Sequence, residues 1–117
     1  MRQARNNMAG LAAEETVLRH YMAAGYAVLA RRYRGTRGEI DLVLGRGGDV
    51  VFIEVKKSRS FGAAVARLGA TQIRRIVATA AEFLSTQPMG QMTETRFDVA
   101  LVNAHGDVSV IENALWQ

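Results

Sequence analysis

The chain has 117 residues, of which 49% are hydrophobic and 22% charged, so it is predicted to form one globular domain over residues 1–117, and a disordered or fibrous protein is excluded. It contains no cysteine, which excludes a disulfide scaffold, a cysteine nucleophile and thiolate metal sites. Most of its 15 cations are arginines, whose planar guanidinium pairs well with phosphate, so the net charge of +4 favours a polyanionic partner.

The first half of the chain predicts one helix followed by three strands. The segment Met8–Ala24 has an apolar stripe that is typical of a helix covering one face of a sheet. The stripe consists of Leu11, Leu18, Tyr21 and Met22. Glycine-rich turns then separate three apolar segments, so an antiparallel meander is expected. The predicted strands are Tyr26–Tyr33, Glu39–Leu44 and Val50–Lys57.

The second half of the chain predicts a helix and two further strands. Apolar residues spaced three and four apart indicate the helix. They are Ile73, Ile76, Val77, Ala80, Phe83 and Leu84. Strands are predicted at Arg96–Val102 and Val108–Ile111. Because a helix joins the third strand to the fourth, these two are expected to be parallel, which predicts an α/β fold with a mixed central sheet flanked by helices.

Two acidic residues interrupt the apolar pattern of neighbouring strands. Asp41 alternates with an apolar row, and Glu54 shares a strand face with Lys56. The apolar row is Ile40, Leu42 and Leu44. Since a short turn joins the two strands, both carboxylates and the lysine are expected to meet in a half-buried place.

Half-buried carboxylates are costly unless a cation compensates for their lost hydration. A hard divalent cation such as Mg²⁺ or Mn²⁺, bound through one or two carboxylates, water and substrate phosphate, meets this need. Lys56 would then orient or deprotonate the attacking water and stabilise charge on the phosphate. The alternative is a salt bridge between Glu54 and Lys56 beside an unrelated surface Asp41.

Three segments resemble, in order and spacing, the YraN family of small bacterial proteins. They are GEIDL at 38–42, VFIEVK at 51–56 and RFDV at 96–99. The resemblance covers nearly the whole chain. It implies a restriction-endonuclease-like αβββαβ core of the PD-(D/E)xK superfamily, similar in outline to Holliday-junction resolvases. Metal-dependent DNA cleavage is the implied activity, although not every member of that superfamily cuts.

The resemblance also implies roles for individual residues. Asp41 and Glu54 correspond to metal ligands, and Lys56 to the catalytic lysine. Glu14 looks like a further acidic metal ligand on the first helix, and it also lies on that helix's apolar stripe. The alternative for Glu14 is an acid favoured by the helix dipole near the helix start.

Two positions depart from the YraN pattern. Gln72 stands where the family usually has lysine, and it is predicted either to bind phosphate or water at the active site or to be an ordinary first-turn residue. The family tends to have an arginine two residues after the motif lysine, where this chain has Ser58. The adjacent Arg59 is the candidate for that phosphate contact.

Four arginines within seven residues are predicted to bind nucleic acid. They are Arg31, Arg32, Arg34 and Arg37. Arg96 and Asp98 alternate on one face of a strand and are instead predicted to have a structural role, pairing with each other or with turns. A homodimer is compatible with the resemblance to resolvases, which pair to act on two strands.

These patterns favour a metal-dependent DNA endonuclease acting on branched or single-stranded DNA. The alternatives are a nucleic-acid-binding protein that does not cut and a protein adaptor. The longest uncharged apolar segment, Tyr21–Ala30, is about half the ~20 residues needed to cross a bilayer. The first ten residues lack the apolar segment of a signal peptide, so a cytoplasmic protein without a membrane partner is predicted.

Overall fold

The computed structural model describes residues 2–57 and 69–114, which form helices packed on a five-stranded sheet. Helix α1 spans Arg2–Met22 and helix α2 spans Ala70–Leu84, and a 3-10 helix spans Gly90–Met92. The strands are β1 (Ala27–Arg34), β2 (Glu39–Arg46), β3 (Asp49–Lys57), β4 (Thr95–Val102) and β5 (Val108–Ile111). The predicted order of elements and the α/β class are therefore confirmed. None of the helices in the described residues is long and apolar enough to cross a membrane.

The sheet is mixed, with the strands in sequential order from β1 to β5. Strands β3 and β4 are parallel, while the other neighbouring pairs are antiparallel. A parallel pair needs a crossover connection, and α2 lies within that connection, as predicted. Together with α1, this arrangement is consistent with a restriction-endonuclease-like core.

Helix α1 is longer than the sequence pattern predicts. It begins at Arg2 rather than Met8, because no proline or glycine interrupts the residues before Met8. Leu18 and Tyr21 are buried as predicted, but Leu11 and Met22 are 43% and 54% exposed. The sheet covers only a narrow strip of the helix, so the outer edges of the predicted stripe stay in solvent. Val77 on α2 is exposed for the same reason.

Apolar clusters cover the sheet on both faces. Leu42 and Leu44 pack in the cluster that includes α1, while Val43 packs in the cluster that includes α2. Ile40 was predicted to share a face with Leu42 and Leu44, and this is wrong, because Ile40 packs in the α2 cluster. The side chains of β2 stop alternating regularly between the two faces of the sheet where β2 separates from β3. Arg32 of β1 lies opposite this point, between the residues that pair with Ile40 and Leu42. Its backbone is also irregular, with a left-handed φ of 50°.

A fully buried carboxylate connects α1 to the sheet. Asp98 forms the predicted ion pair with Arg96, at 2.8 Å, and also accepts a hydrogen bond of 2.6 Å from the Tyr21 hydroxyl. The backbone N–H of Asn113 donates a further bond at 3.0 Å. Burial and the neighbouring Asp98 raise the pKa of Tyr21 well above its ordinary value. This network accounts for Asp98 as a structural residue.

Candidate functional site

The central feature of the site is an opening in the sheet. Pairing between β2 and β3 runs from the turn at Arg46 and Asp49 to Leu42 opposite Ile53, and ends there. Both strands continue beyond this point, but β2 pairs only with β1 and β3 only with β4. The next residues along the two strands are Asp41 and Glu54. The sheet therefore separates at the two acids that the sequence predicts to meet.

Asp41 takes over the hydrogen bonding that the separated strands no longer provide. Its Oδ2 atom accepts a bond of 2.8 Å from the backbone N–H of Val55. The Asp41 carboxyl is also near enough to Glu54 for its hydrogen bonding and its negative charge to raise the pKa of Glu54. The two acids are therefore neighbours at the opening, and Asp41 is held by the backbone of the strand that carries Glu54.

The environment of Glu54 disfavours its ionised form. Its residue surface is only 8% exposed. Burial is the largest cause that raises the pKa of Glu54 to about 9, and the hydrogen bond and negative charge of Asp41 raise it further. Lys56 and Gln72 act in the opposite direction. Without a further cation, the protonated form of Glu54 is therefore favoured at neutral pH.

Gln72 and Lys56 both act on Glu54. The Nε2 atom of Gln72 donates a hydrogen bond of 3.3 Å to Glu54 Oε2, which connects the first part of α2 to the site. Lys56 follows Glu54 by two residues on β3, so the two side chains point to the same face of the strand. The positive charge of Lys56 favours the ionised form of Glu54. The structure thus brings four of the predicted residues together: Asp41, Glu54, Lys56 and Gln72.

Glu14 is buried but forms an ion pair. Its two carboxylate oxygens accept bonds from Nε and Nη2 of Arg32, at 3.3 and 3.1 Å. The hydrogen bond to Glu14 is the main cause that raises the pKa of Arg32, and the charges of Glu39 and Asp41 raise it further. Arg32 therefore balances the charge of Glu14. The predicted role of Glu14 as a metal ligand stays a prediction.

The donor set at the opening fits a hard divalent cation. Residues 2–57 and 69–114 contain no group of three or more acidic or histidine side chains placed to hold a metal ion. Two carboxylates are nevertheless sufficient for Mg²⁺, which proteins commonly bind through one or two carboxylates while water and substrate phosphate fill the other positions. A half-buried carboxyl pair gains from such a cation, which compensates for the lost hydration and for the repulsion between the two negative charges. Asp41 and Glu54 would be its ligands.

Comparison with known proteins identifies the family. The family model described as "Uncharacterised protein family UPF0102" matches residues 13–102, which contain all the described residues of the opening. The chain belongs to UPF0102. UPF0102 corresponds to the YraN family, so the resemblance predicted from the sequence motifs is confirmed.

Three UPF0102 proteins illustrate how similar the relatives are. The protein of Ruegeria pomeroyi is 53% identical over 97% of this chain and 92% of its own length. That of Roseobacter denitrificans is 56% identical over 92% of this chain and 83% of its own length. A protein of Cereibacter sphaeroides is 57% identical, covering 91% of each chain. The match thus extends over nearly the whole of the UPF0102 relatives.

In this UPF0102 protein, three of the four arginines of the predicted cluster form ion pairs, and the fourth lies in a turn. Arg31 pairs with Glu15, Arg32 with Glu14 and Arg34 with Glu39. These glutamates neutralise part of the positive charge along β1. Binding of nucleic acid by the cluster stays a prediction. The fourth member, Arg37, lies in the turn between β1 and β2, while Arg59 falls outside the described residues.

Sequence reasoning missed two arginines next to the site. Arg74 and Arg75 are exposed on α2 and line grooves together with Arg37. One of these grooves also contains Glu54 and Gln72. A signal was present in the UPF0102 sequence, since two adjacent arginines in the first half of a helix gain nothing from the helix dipole. Such a pair is typical of an anion-binding surface.

Proposed function

We propose that this UPF0102 protein is a metal-dependent endonuclease that hydrolyses phosphodiester bonds of DNA at the Asp41–Glu54 pair. The observation that carries the proposal is the opening between β2 and β3, where the neighbouring carboxyl groups of Asp41 and Glu54 lie near Lys56. Within the described residues, neither Asp41 nor Glu54 forms an ion pair, in contrast to Glu14 and Asp98. A buried acid with a raised pKa, next to a second carboxyl, is typical of a functional site.

Each residue of the opening has a distinct role in this proposal. Asp41 and Glu54 would hold Mg²⁺ or Mn²⁺, which supplies polarisation of the phosphate and activation of water when bound. Lys56 orients the attacking water and stabilises the negative charge that develops on the phosphate. Gln72 fixes the orientation of the Glu54 carboxylate through its hydrogen bond. A phosphorus–oxygen bond to water forms as the bond to the leaving nucleotide oxygen breaks.

The proposal includes DNA as the partner and a cytoplasmic location. The arginines near the opening provide the positive charge that a DNA phosphate backbone requires. Preference for branched or single-stranded DNA, and a homodimer that acts on two strands, follow from the resemblance to resolvases. Both belong to the same proposal.

A nucleic-acid-binding protein that does not cut is the second candidate function. One observation favours it: the third predicted carboxylate, Glu14, is engaged by both Nε and Nη2 of Arg32. In this alternative, Arg32 and Lys56 balance the charge of the acids permanently, and no metal is required.

A cleavage assay distinguishes the two candidates. Purified protein is incubated with labelled duplex, single-stranded and four-way-junction DNA in Mg²⁺, in Mn²⁺ and in chelator. We expect cleavage of at least one DNA form with metal and none in chelator. Asp41→Asn, purified in parallel, should bind DNA and fail to cut, which excludes a contaminating nuclease. Binding of all three DNA forms without cleavage in either metal would refute the endonuclease and favour the second candidate.

A further inference from the structure

We propose that Arg37, Arg74 and Arg75 form a binding site for a backbone phosphate next to the Asp41–Glu54 pair, and that Glu82 is its positioning residue. The inference deepens the proposed function and rests on it for the identity of the anion, a nucleic-acid phosphate. The site itself is argued from the turn between β1 and β2 and the exposed face of α2.

The three arginines surround a groove of about 320 Å³, which is also lined by Thr71. All four residues are exposed. Among the described residues, every charged side chain that lines this groove is an arginine. Guanidinium groups that face one space repel each other, and a bound phosphate removes that repulsion and accepts their hydrogen bonds. The groove therefore has the chemistry of an anion site rather than of a solvated salt-bridge network.

The groove continues into the candidate active site. A second groove, of about 560 Å³, shares Arg37, Thr71 and Arg75 with the first. It also contains Glu54 and Gln72. A nucleic-acid strand whose phosphate contacts the arginines can therefore follow one continuous surface to Glu54. This places the arginines on the substrate path, whereas Arg31 and Arg32 pair with glutamates of α1.

Arg37 reaches this groove because its turn is attached to α2. The backbone N–H of Thr36 donates a bond of 2.8 Å to Glu82 Oε2, and the Thr36 hydroxyl donates to Oε1. The backbone N–H of Gly35 donates to the carbonyl of Gly38 at 2.8 Å, which closes the turn. Glu82 therefore holds the residue that directly precedes Arg37 in the chain.

The glycines of this turn allow its close approach to α2. A Cβ atom at Gly35 would lie 1.8 Å from Glu82 Oε2, so any side chain there would displace the Glu82 carboxylate from Thr36. A Cβ atom at Gly38 would lie 3.2 Å from Thr79 Oγ1 and 3.4 Å from Arg75 Cβ. The turn thus packs directly on the part of α2 that carries the second and third arginines.

The first test removes the arginines of α2. DNA binding is measured by fluorescence anisotropy in chelator, with labelled duplex and single-stranded oligonucleotides from low to physiological salt. Arg74→Gln/Arg75→Gln should weaken binding by roughly tenfold or more and flatten the log–log salt dependence by about 0.7 to 0.9 per lost phosphate contact. The matched control is Arg19→Gln/Arg46→Gln, which removes the same charge from α1 and from the last residue of β2. Equal effects of the two double variants would overturn the site.

The second test uses the sign of the effect of Glu82. Deleting an acid near a polyanion site strengthens binding if the acid acts only through its charge. A positioning role predicts the opposite, so Glu82→Ala should weaken DNA binding several-fold. Glu94→Ala, at an exposed acid before β4, is the control and should not weaken binding. Stronger or unchanged binding by Glu82→Ala would overturn the positioning role.

Two further variants, Gly35→Ala and Arg37→Gln, distinguish a loss of positioning from an effect of charge or of folding. Gly35→Ala retains the charge of Glu82 but displaces its carboxylate, so it should weaken binding as Glu82→Ala does. In an Arg37→Gln background, neither change should weaken binding further, because Arg37 is what the turn positions. An additional loss in that background would show that the turn contributes to folding rather than to the position of Arg37.

The outcomes also separate this inference from the endonuclease proposal. If the arginine variants lose affinity as expected while the wild type never cuts DNA, the phosphate site stands and the endonuclease proposal fails. If the wild type cuts with Mg²⁺ while Arg74→Gln/Arg75→Gln binds DNA no more weakly than its control, the endonuclease stands and the phosphate site fails.

Discussion

Lys56→Met is expected to reduce metal-dependent DNA cleavage by about 10²-fold or more, with little change in DNA affinity. Methionine keeps the length of the side chain and the strand geometry but removes the charge. Lys56 lies two residues after Glu54 on the same strand face, next to the acid pair rather than in the arginine groove. The rate constant of the cleavage step, measured in single-turnover reactions at saturating protein, should therefore decrease.

The adjacent residue supplies the control for this substitution. Lys57→Met removes the same charge one position along β3, where the side chain is exposed and points to the other face of the strand. We expect it to retain most of the cleavage activity. Undiminished cleavage by Lys56→Met, or an equal loss in both variants, would contradict a specific catalytic role for Lys56.

Glu54→Gln is expected to remove a loss of stability that the wild type shows in chelator as the pH rises. The pKa of Glu54 is raised from its ordinary value to about 9 in the folded protein, mainly by burial. Between those two values the folded state binds more protons than the unfolded state, so the free energy of unfolding falls as pH rises. Each pH unit contributes up to about 1.4 kcal/mol. The wild type should therefore lose on the order of 2 to 4 kcal/mol between pH 5 and 8 through this residue.

Glutamine is close in shape to a protonated glutamic acid and does not titrate. It can accept the hydrogen bond from Gln72 and donate one to Asp41. The variant should therefore match the wild type near pH 5 and exceed its free energy of unfolding at pH 8, measured by urea denaturation in chelator. The difference between the two proteins isolates Glu54 from the other titrating groups. Parallel curves across this range would show that Glu54 is ionised in the folded protein.

The fold could be predicted from the sequence because local patterns determine most of it. Strand β5 has the predicted bounds, and the predicted β2 and β3 differ from the observed strands by at most two residues at either end. Because a helix connects β3 to β4, the parallel pairing of these two strands could be predicted from the sequence. The exposure of Leu11 and Met22 could not be predicted, since it depends on how much of the helix the sheet covers.

The proximity of the two acids could also be predicted, but not the way in which it arises. A short turn joins β2 to β3, so Asp41 and Glu54 were expected to lie near each other on neighbouring strands. The separation of the strands at this point, with Asp41 bonded to the Val55 N–H, is a tertiary feature without a local sequence signal. The same separation explains why Ile40 lies on the unexpected face of the sheet.

The arginines that are close in sequence did not predict which arginines form one positive surface in the folded protein. Arg31, Arg32 and Arg34 are close in sequence, but each has a glutamate partner from α1 or β2. Arg37 and Arg75 are far apart in sequence, and they line one groove because Glu82 attaches the turn to α2. Such a surface emerges only once the elements have packed.

Thermal melting with and without metal tests most directly whether the Asp41–Glu54 pair holds a divalent cation. Wild type and Asp41→Asn are melted at pH 8 in chelator and in increasing Mg²⁺ or Mn²⁺. Asparagine can still accept the bond from Val55 and reduces the repulsion on Glu54, so in chelator the variant should be as stable as the wild type or up to about 1 kcal/mol more stable.

Metal should raise the melting temperature of the wild type by several degrees, because a ligand at 100 times its Kd stabilises the folded state by about 2.7 kcal/mol. Asp41→Asn should lose this response. An Asp41→Asn protein that is destabilised in chelator and responds to metal as the wild type does would contradict the metal site, and with it the assignment of this opening in the sheet as a nuclease centre.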